Sequence, residues 1–248
     1  MDSNAILYLN LCKRICILKK YKHLFFDLDH TLWDFAKNSK QTLKEAFLHF
    51  NLKDFNINFE DFLAEYFKIN DAYWDDYRKG RVTKEQLRYG RFRQSLKHFN
   101  IVDEALIIKF ADFYVEHSPQ KKNVFPNTHE TLAFLKNHYE LHIITNGFEE
   151  VQYIKLEKSN LAQYFKHIIT SEKAGVKKPN QKIFHFSMKL AGANNANSLM
   201  IGDNFEADII GAKKVGIDQV FFNPDKQPVP EKVTYEIEDL KQLIGLLS

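Results

Sequence analysis

The sequence lacks the features that mark membrane-spanning and nucleic-acid-binding proteins. No apolar run reaches the roughly 18 residues that a membrane-spanning helix needs. The net charge is only +3, from 35 basic and 32 acidic side chains, and no block of basic residues is present. Neither a membrane surface nor a nucleic-acid polymer is therefore expected as a partner.

Cysteine is equally scarce. Cys12 and Cys16 are the only two, and without a second pair they do not complete a zinc site. Reduced thiols are typical of a cytoplasmic protein, which is the expected location. A secretory signal is not expected, because Lys13 and Arg14 follow the apolar residues of this segment and no small-residue cleavage site comes after them. Residues 1–20 are interpreted as an extension of unknown role.

Repeats, Gly/Ser linkers and low-complexity tracts are also missing, and the ten histidines show no His-x-His or His-Glu-x-x-His spacing. The chain instead has two regular patterns. Between residues 34 and 117 apolar side chains recur at the helix period. From Pro126 onward predicted strands and helices alternate, which predicts an α/β fold with a doubly wound parallel sheet. The all-helical stretch interrupts this plan after the first strand and is interpreted as an inserted lid domain.

Two acidic residues follow the apolar run Leu24-Phe25-Phe26. Asp27 and Asp29 stand two residues apart at the end of a predicted buried strand, where ionised carboxylates repel each other. A divalent cation or a shared proton relieves this repulsion, and a cation also attracts phosphate. The alternative is a polar strand end with Thr31 as a helix N-cap, and this segment alone does not decide between the two.

Other polar residues stand at the predicted ends of later strands. Because ligands bind at the carboxyl ends of the strands in a doubly wound sheet, these residues test the metal hypothesis. They are Thr145, Asn146 and Gly147, Lys178 before Pro179, and Asp203 and Asn204 with Asp208 one helical turn later. Singly they are more typical of a turn, a solvated lysine and a helix cap. Together, and in this order, they predict one anion- and metal-binding site.

The set Asp27-x-Asp29-x-Thr31, Thr145, Lys178-Pro179 and Gly202-Asp203-x-x-x-x-Asp208 resembles the four motifs of the haloacid dehalogenase (HAD) superfamily. The resemblance implies a Rossmann-like catalytic core at residues 21–33 and 118–248, with a helical cap of the C1 type at residues 34–117. Residues 73–83, 90–92, 143–148 and 175–184 are similar to the pyrimidine 5′-nucleotidases of that superfamily. Sugar-phosphate phosphatases share much of the core pattern.

The resemblance implies a Mg²⁺-dependent phosphatase that acts through an aspartyl-phosphate. Asp27 would be the nucleophile and a metal ligand, Asp203 a second ligand, and the backbone carbonyl of Asp29 a third. The Asp29 side chain would act as general acid and then as general base. Thr145 and the backbone N–H groups of Asn146 and Gly147 would hold phosphate oxygens, and Lys178 would neutralise charge. Asp208 and Asn204 would have supporting roles.

Substrate specificity is expected to lie in the helical stretch, where Trp74, Tyr77 and Arg78 could face a base or a ribose. The alternative for Trp74 and Tyr77 is a place in the helical core. The leading function is a 5′-nucleotidase for pyrimidine nucleoside monophosphates, active as a monomer or weak homo-oligomer. Alternatives are a sugar-phosphate or phosphoglycolate phosphatase, a phosphomutase, and a non-catalytic nucleotide-binding protein.

Overall fold

The computed structural model describes residues 20–248, so most of the N-terminal extension, with Cys12 and Cys16, lies outside the described residues. Contacts divide the chain into two units. One comprises the described residues up to Asp34 together with Val124–Ser248, and the other comprises Phe35–Asn123. No helix within residues 20–248 is long and apolar enough to cross a membrane.

The first unit is built on one sheet, for which the described residues supply six strands. The strands are β1 (His23–Phe26), β2 (Glu140–Thr145), β3 (His167–Thr170), β4 (Ser198–Gly202), β5 (Asp218–Phe222) and β6 (Tyr235–Ile237). Their order is β3-β2-β1-β4-β5-β6, and every neighbouring pair is parallel. This confirms the predicted α/β fold. Strand β1 lies between β2 and β4, so the carboxyl ends of these three strands are neighbours.

Residues 35–123 form an all-helical unit, as the helix-period spacing of their apolar residues predicts. Its longer helices are α1 (Phe35–His49), α2 (Phe59–Arg78), α3 (Lys84–His98) and α4 (Glu104–His117). They pack around an aromatic core that includes Phe62, Phe92 and Phe110. A capping box opens α3: the Thr83 side chain accepts the Gln86 N–H, and the Gln86 side chain accepts the Thr83 N–H.

The boundary of the helical unit differs from the one expected, since residues 118–123 group with the helices rather than with the sheet. Asn38 in α1 supplies the reason. Its side chain accepts the backbone N–H of Asn123 at 3.1 Å and donates to the Asn123 carbonyl at 2.8 Å. The chain is therefore tied to α1 until Asn123. That this unit serves as a cap domain remains a prediction.

The helices of the sheet-containing unit are α5 (Thr128–Lys136), α6 (Glu149–Lys158), α7 (Ser171–Ala174), α8 (Gln181–Ala191), a π-type turn (Phe205–Ile210) that continues into α9 (Gly211–Lys213), and α10 (Gln242–Leu247). Phe25 of β1, Ile144 of β2 and Ile169 of β3 pack with Phe184 and Met188 of α8 in one apolar cluster. This buried layer fixes where each strand ends, and with it the position of the polar residues that follow.

The C-terminal segment differs from the sequence prediction. The alternation of strands and helices from Pro126 onward predicts a closing helix from Glu238, whereas the chain forms the short edge strand β6 and α10 then begins at Gln242. The Gln242 side chain accepts the backbone N–H groups of Glu238 and Asp239, at 2.7 and 2.9 Å. These two residues therefore form the approach to the helix.

Candidate active site

Three carboxylates meet at the carboxyl ends of β1 and β4. The two strands are adjacent and parallel, with Phe26 opposite Ile201, so the residues that follow them reach the same edge of the sheet. One carboxylate oxygen from each of Asp27, Asp203 and Asp208 lies within 4.8 Å of the other two. This grouping would allow Asp27 and Asp203 to bind one ion, and their role as metal ligands remains a prediction.

Lys178 brings an ammonium group to the same point. Its Nζ lies 2.8 Å from Asp27 Oδ1 and 2.6 Å from Asp208 Oδ1, and it donates to the carbonyl of Ile144 at 2.7 Å. The lysine is only 1% exposed. These three oxygens surround the buried ammonium, so Lys178 is held in one position between Asp27 and Asp208.

The charges at this point do not balance, since three carboxylates face the single ammonium of Lys178. Burial raises the pKa of Asp27 to about 7, although the nearby Lys178 acts to lower it. Burial likewise raises the pKa of Asp203 to about 6. A divalent cation would remove the residual repulsion, and ligands on opposite sides of a Mg²⁺ ion lie about 4.2 Å apart. Carboxylate oxygens are the ligands that Mg²⁺ prefers, so the donor set fits Mg²⁺.

Thr31 holds Asp203 in position through two hydrogen bonds. Its hydroxyl donates to Asp203 Oδ1 at 2.8 Å and accepts the Asp203 backbone N–H at 3.1 Å. His30, just before it, has a positive φ of 63°, which turns the chain so that Thr31 is completely buried. The threonine is thus a bridge between the segments after β1 and β4, and not the N-cap considered as an alternative.

Asp208 is packed against the end of β4. Its Oδ2 accepts the backbone N–H of Asn204 at 3.0 Å, while the Asn204 side chain caps the π-type turn by accepting the Ala207 N–H at 2.8 Å. A Cβ at Gly202 would lie 2.3 Å from Asp208 Oδ2. Only glycine therefore leaves room for this carboxylate.

The Asp29 side chain is outside the carboxylate cluster and is held by α6. Lys155 Nζ lies 2.5 Å from Asp29 Oδ1, and Gln152 Nε2 donates to Asp29 Oδ2 at 2.8 Å. The Lys155 ammonium also sits 4.3 Å from the centre of the Trp33 ring. Both oxygens of Asp29 thus contact one helix face, a contact that the strand-end argument did not include.

The three residues after β2 make mainly internal contacts. Thr145 Oγ1 accepts hydrogen bonds from Gln152 Nε2 at 2.6 Å and from the Gly147 backbone N–H at 3.1 Å. The Asn146 side chain donates to the Lys178 carbonyl at 3.0 Å and accepts the Lys178 N–H at 2.8 Å. Asn146 therefore positions the backbone that carries the buried lysine.

Comparison with known protein families agrees with this arrangement. The model of the haloacid dehalogenase-like hydrolases matches residues 21–216 of the chain. The protein belongs to this family. The predictions of HAD membership and of an enzyme of the hydrolase class are thereby confirmed.

Individual HAD relatives match nearly the whole chain. The pyrimidine 5′-nucleotidase YjjG of Escherichia coli is 32% identical over 92% of this chain and 98% of its own length. A glyceraldehyde 3-phosphate phosphatase of Pyrococcus furiosus is 28% identical over 93% of this chain and 95% of its own. The magnesium-bound crystal structure of the putative HAD-hydrolase YfnB of Bacillus subtilis superposes with a TM-score of 0.82, at 30% identity, over 92% of this chain and 99% of that one.

Two residues of the HAD core site, Gln152 and Lys155, were missed by sequence reasoning. The buried positions of α6 are Gln152, Lys155 and Leu156, and Ser159 follows at the same helical spacing. A glutamine and a lysine on the inward face of a helix are unusual, because such positions are normally apolar. This polar stripe was the signal that could have identified them.

The three residues expected to face a substrate lie on α2 of the helical unit. Tyr77 is 7% exposed, and its ring meets that of Trp74 edge-on at 5.7 Å between centroids. The Arg78 Nη2 atom lies 3.8 Å from Asp75 Oδ1, one helical turn earlier. Tyr77 thus occupies the buried position that the core interpretation allowed, and a substrate contact for any of the three remains a prediction.

Proposed function

We propose that this HAD hydrolase is a Mg²⁺-dependent phosphomonoesterase that uses Asp27 as its nucleophile. The observation that carries the proposal is the meeting of Asp27, Asp203 and Lys178 at one buried point. Asp27, Asp203 and the Asp29 carbonyl would hold Mg²⁺, with Asp208 supporting the site. The ion would supply positive charge that lets an anionic nucleophile approach a phosphate dianion.

In the first half of the reaction, an Asp27 oxygen forms a bond to phosphorus while the bond from phosphorus to the ester oxygen breaks. The departing oxygen takes a proton from Asp29, and the phosphoryl group remains as an aspartyl-phosphate. In the second half, Asp29 removes a proton from a water molecule that attacks the same phosphorus. Inorganic phosphate leaves and the Asp27 carboxylate is regenerated.

The contacts of Asp29 bear on this role. Lys155 and Gln152 each contact one oxygen of the Asp29 carboxyl group, so α6 sets the position of this side chain. Proton transfer to the departing oxygen requires the Asp29 carboxyl group to turn from these partners toward the substrate. Rotation of the Asp29 side chain away from α6 would allow this, since Gln152 and Lys155 contact only its two carboxyl oxygens.

Two side chains are suited to binding the phosphoryl oxygens. Thr145 Oγ1 accepts two hydrogen bonds, so its own proton is available as a donor. Lys178 carries a positive charge next to Asp27 and would offset the negative charge that builds up on the transferred group. The backbone N–H of Asn146 would be a third donor, whereas that of Gly147 already serves Thr145.

For the substrate, we favour the 5′-monophosphates of pyrimidine nucleosides. Support comes from the similarity to the enzyme named pyrimidine 5′-nucleotidase, which extends over the helical stretch as well as the core. Trp74, Tyr77 and Arg78 are the proposed specificity residues. A sugar phosphate is the second candidate, because the relative named glyceraldehyde 3-phosphate phosphatase matches the chain over a similar length.

A substrate panel tests the proposal. Release of phosphate from UMP, dUMP, TMP, AMP, glyceraldehyde 3-phosphate, phosphoglycolate and p-nitrophenyl phosphate is measured with Mg²⁺ and with a chelator. We expect Mg²⁺-dependent turnover with the highest kcat/KM for a pyrimidine nucleotide, and no turnover by Asp27→Asn. A preference for sugar phosphates would favour the second candidate. Normal turnover by Asp27→Asn would remove the nucleophile assignment.

A further inference from the structure

A second group of metal-ligating side chains lies at the opposite end of the strands, where β1 and β2 begin. In the register of this pair, His23 stands opposite Glu140 and Phe25 opposite His142. Residues two apart in a strand face the same side, so His23, Glu140 and His142 share one face of the sheet. None of them contributes to the active site, which follows the other ends of these strands.

The three side chains converge on one point. His23 Nδ1 lies 3.3 Å from His142 Nε2 and 3.5 Å from Glu140 Oε2, and all three ligand atoms lie within 4.8 Å of one another. Ligands of a tetrahedral Zn²⁺ ion, with bonds of about 2.0–2.2 Å, are separated by about 3.3–3.6 Å. The two shorter separations match the edges of such a tetrahedron.

Hydrogen bonding alone leaves this group incompletely paired. A neutral imidazole has one N–H and one lone pair, so His23 Nδ1 can donate fully to only one of its two neighbours. If His142 Nε2 is the donor instead, the Nδ1 lone pair of His23 faces the Glu140 carboxylate. In the tautomer that offers the Nε2 lone pair of His142 to a metal, the proton is on Nδ1, which is buried and has no hydrogen-bond partner among residues 20–248.

Packing fixes the orientation of the His142 ring. His142 is completely buried, and its ring stacks between those of Phe25 at 4.9 Å and His167 at 5.3 Å. Burial lowers the pKa of His142 to about 3, so its imidazole is neutral and has a lone pair to offer. Glu140 is exposed, which provides a path for an ion from solvent.

We propose that His23, Glu140 and His142 form a second metal site, specific for Zn²⁺ or a similar transition-metal dication, with water in the fourth position. Two imidazoles and one carboxylate are a set that Zn²⁺ binds in other proteins, whereas Mg²⁺ prefers oxygen ligands. Bound there, the ion would link β1 to β2 and stabilise the sheet from the end opposite the active site.

Lys166 opposes this binding and makes the proposal testable. Its ammonium lies 2.9 Å from Glu140 Oε2, the oxygen that would ligate the metal. Glu140→Gln and Lys166→Met both remove this ion pair, and both residues are about half exposed, so neither substitution disturbs the core. The two variants have opposite consequences for a metal, because one removes a ligand and the other removes a competing cation.

The experiment titrates Co²⁺, and then Zn²⁺, into chelator-stripped full-length protein in excess Mg²⁺. All variants carry Cys12→Ser and Cys16→Ser, which removes thiolate ligands, and a parallel series carries Asp203→Asn to disable the carboxylate cluster. We expect one equivalent of Co²⁺ with the visible spectrum of nitrogen and oxygen ligands in the Asp203→Asn series. Glu140→Gln should weaken its affinity by about tenfold or more. Lys166→Met should strengthen it on the order of tenfold.

Zn²⁺ should also raise the melting temperature of the parent protein, and raise that of Glu140→Gln less. Three results would overturn the proposal: no saturable Co²⁺ binding in the micromolar range, binding that disappears in the Asp203→Asn series, or Glu140→Gln and Lys166→Met changing the affinity in the same direction. The last result would show that only the ion pair between these two side chains matters.

Discussion

Lys178 and Asp208 form an ion pair from which solvent is almost completely excluded. Their side chains are 2% and 0% exposed, and Nζ lies 2.6 Å from Oδ1. Burial acts to lower the pKa of Lys178, but the two carboxylates outweigh it and the pKa is raised, so the lysine stays charged. Asp208 therefore serves to hold a charged lysine against Asp27, where the proposed reaction takes place.

Lys178→Met is expected to abolish activity and to lower the free energy of unfolding by about 3–5 kcal/mol. Removal of one partner from a buried ion pair leaves the other charge without compensation, and here both Asp27 and Asp208 lose it. Urea unfolding measures the stability. The double variant Lys178→Met with Asp208→Asn should regain part of that stability and none of the activity, and a double variant no more stable than the single one would contradict this account.

Gly202→Ala should reduce both turnover and stability. The added Cβ would lie 2.3 Å from Asp208 Oδ2, and Asp208 cannot move without breaking its contacts with Lys178 and Asn204. Overpacking of this kind typically costs about 1–3 kcal/mol. Gly245→Ala in α10 is the matched control, since no atom lies within 4 Å of its added Cβ and alanine favours a helix. Equal effects of the two substitutions on kcat would argue against the steric explanation.

Asp203→Asn should stabilise the metal-free protein at neutral pH while abolishing activity. Burial raises the pKa of Asp203 to about 6, above the roughly 3.9 of an unfolded chain, so the ionised carboxylate destabilises the folded state. That cost is absent below about pH 4, where the group is protonated in both states, and it is complete above about pH 6.

Denaturant unfolding in a chelator tests this relation. The free energy of unfolding of Asp203→Asn should exceed that of the parent protein by nearly zero at pH 4 and by about 2 kcal/mol at pH 7.5. The latter value is reduced for the partial exposure of the Asp203 side chain. Saturating Mg²⁺ should reverse the order, because it binds only the folded, ionised cluster of the parent protein. An advantage that does not change with pH would refute the electrostatic origin.

The loss of kcat/KM in Asp29→Asn should depend on the leaving group of the substrate. The alkoxide of a nucleoside needs a proton as it departs, whereas p-nitrophenolate leaves without one. For a nucleoside monophosphate kcat/KM should fall by about 10²–10⁴, as expected for loss of a general acid. For p-nitrophenyl phosphate it should fall much less, because kcat/KM does not report the later hydrolysis of the aspartyl-phosphate. The same loss for both substrates would argue against Asp29 as the acid.

Much of the proposed site could be inferred before the structure was known, because strand ends can be located from local sequence. Asp27 and Asp203 directly follow short apolar runs, and parallel alternation brings such positions to one edge of a sheet. The contacts of Asp29 could not be inferred in this way. They depend on which face of α6 turns inward, and the partners Gln152 and Lys155 are more than 120 residues away along the chain.

The sequence by itself determined the alternation of strands and helices up to β5, the helical insertion and the kinds of side chain at the strand ends, because periodicity and turn chemistry are local. Tertiary structure decided which of them touch. In the fold, the Thr31 hydroxyl donates to the Asp203 carboxylate instead of capping a helix. The Asn146 side chain accepts the backbone N–H of Lys178 and so positions that segment. The fold also brings His23 and His142 together across two strands. Such contacts follow from strand register and helix packing, which join residues far apart in the chain.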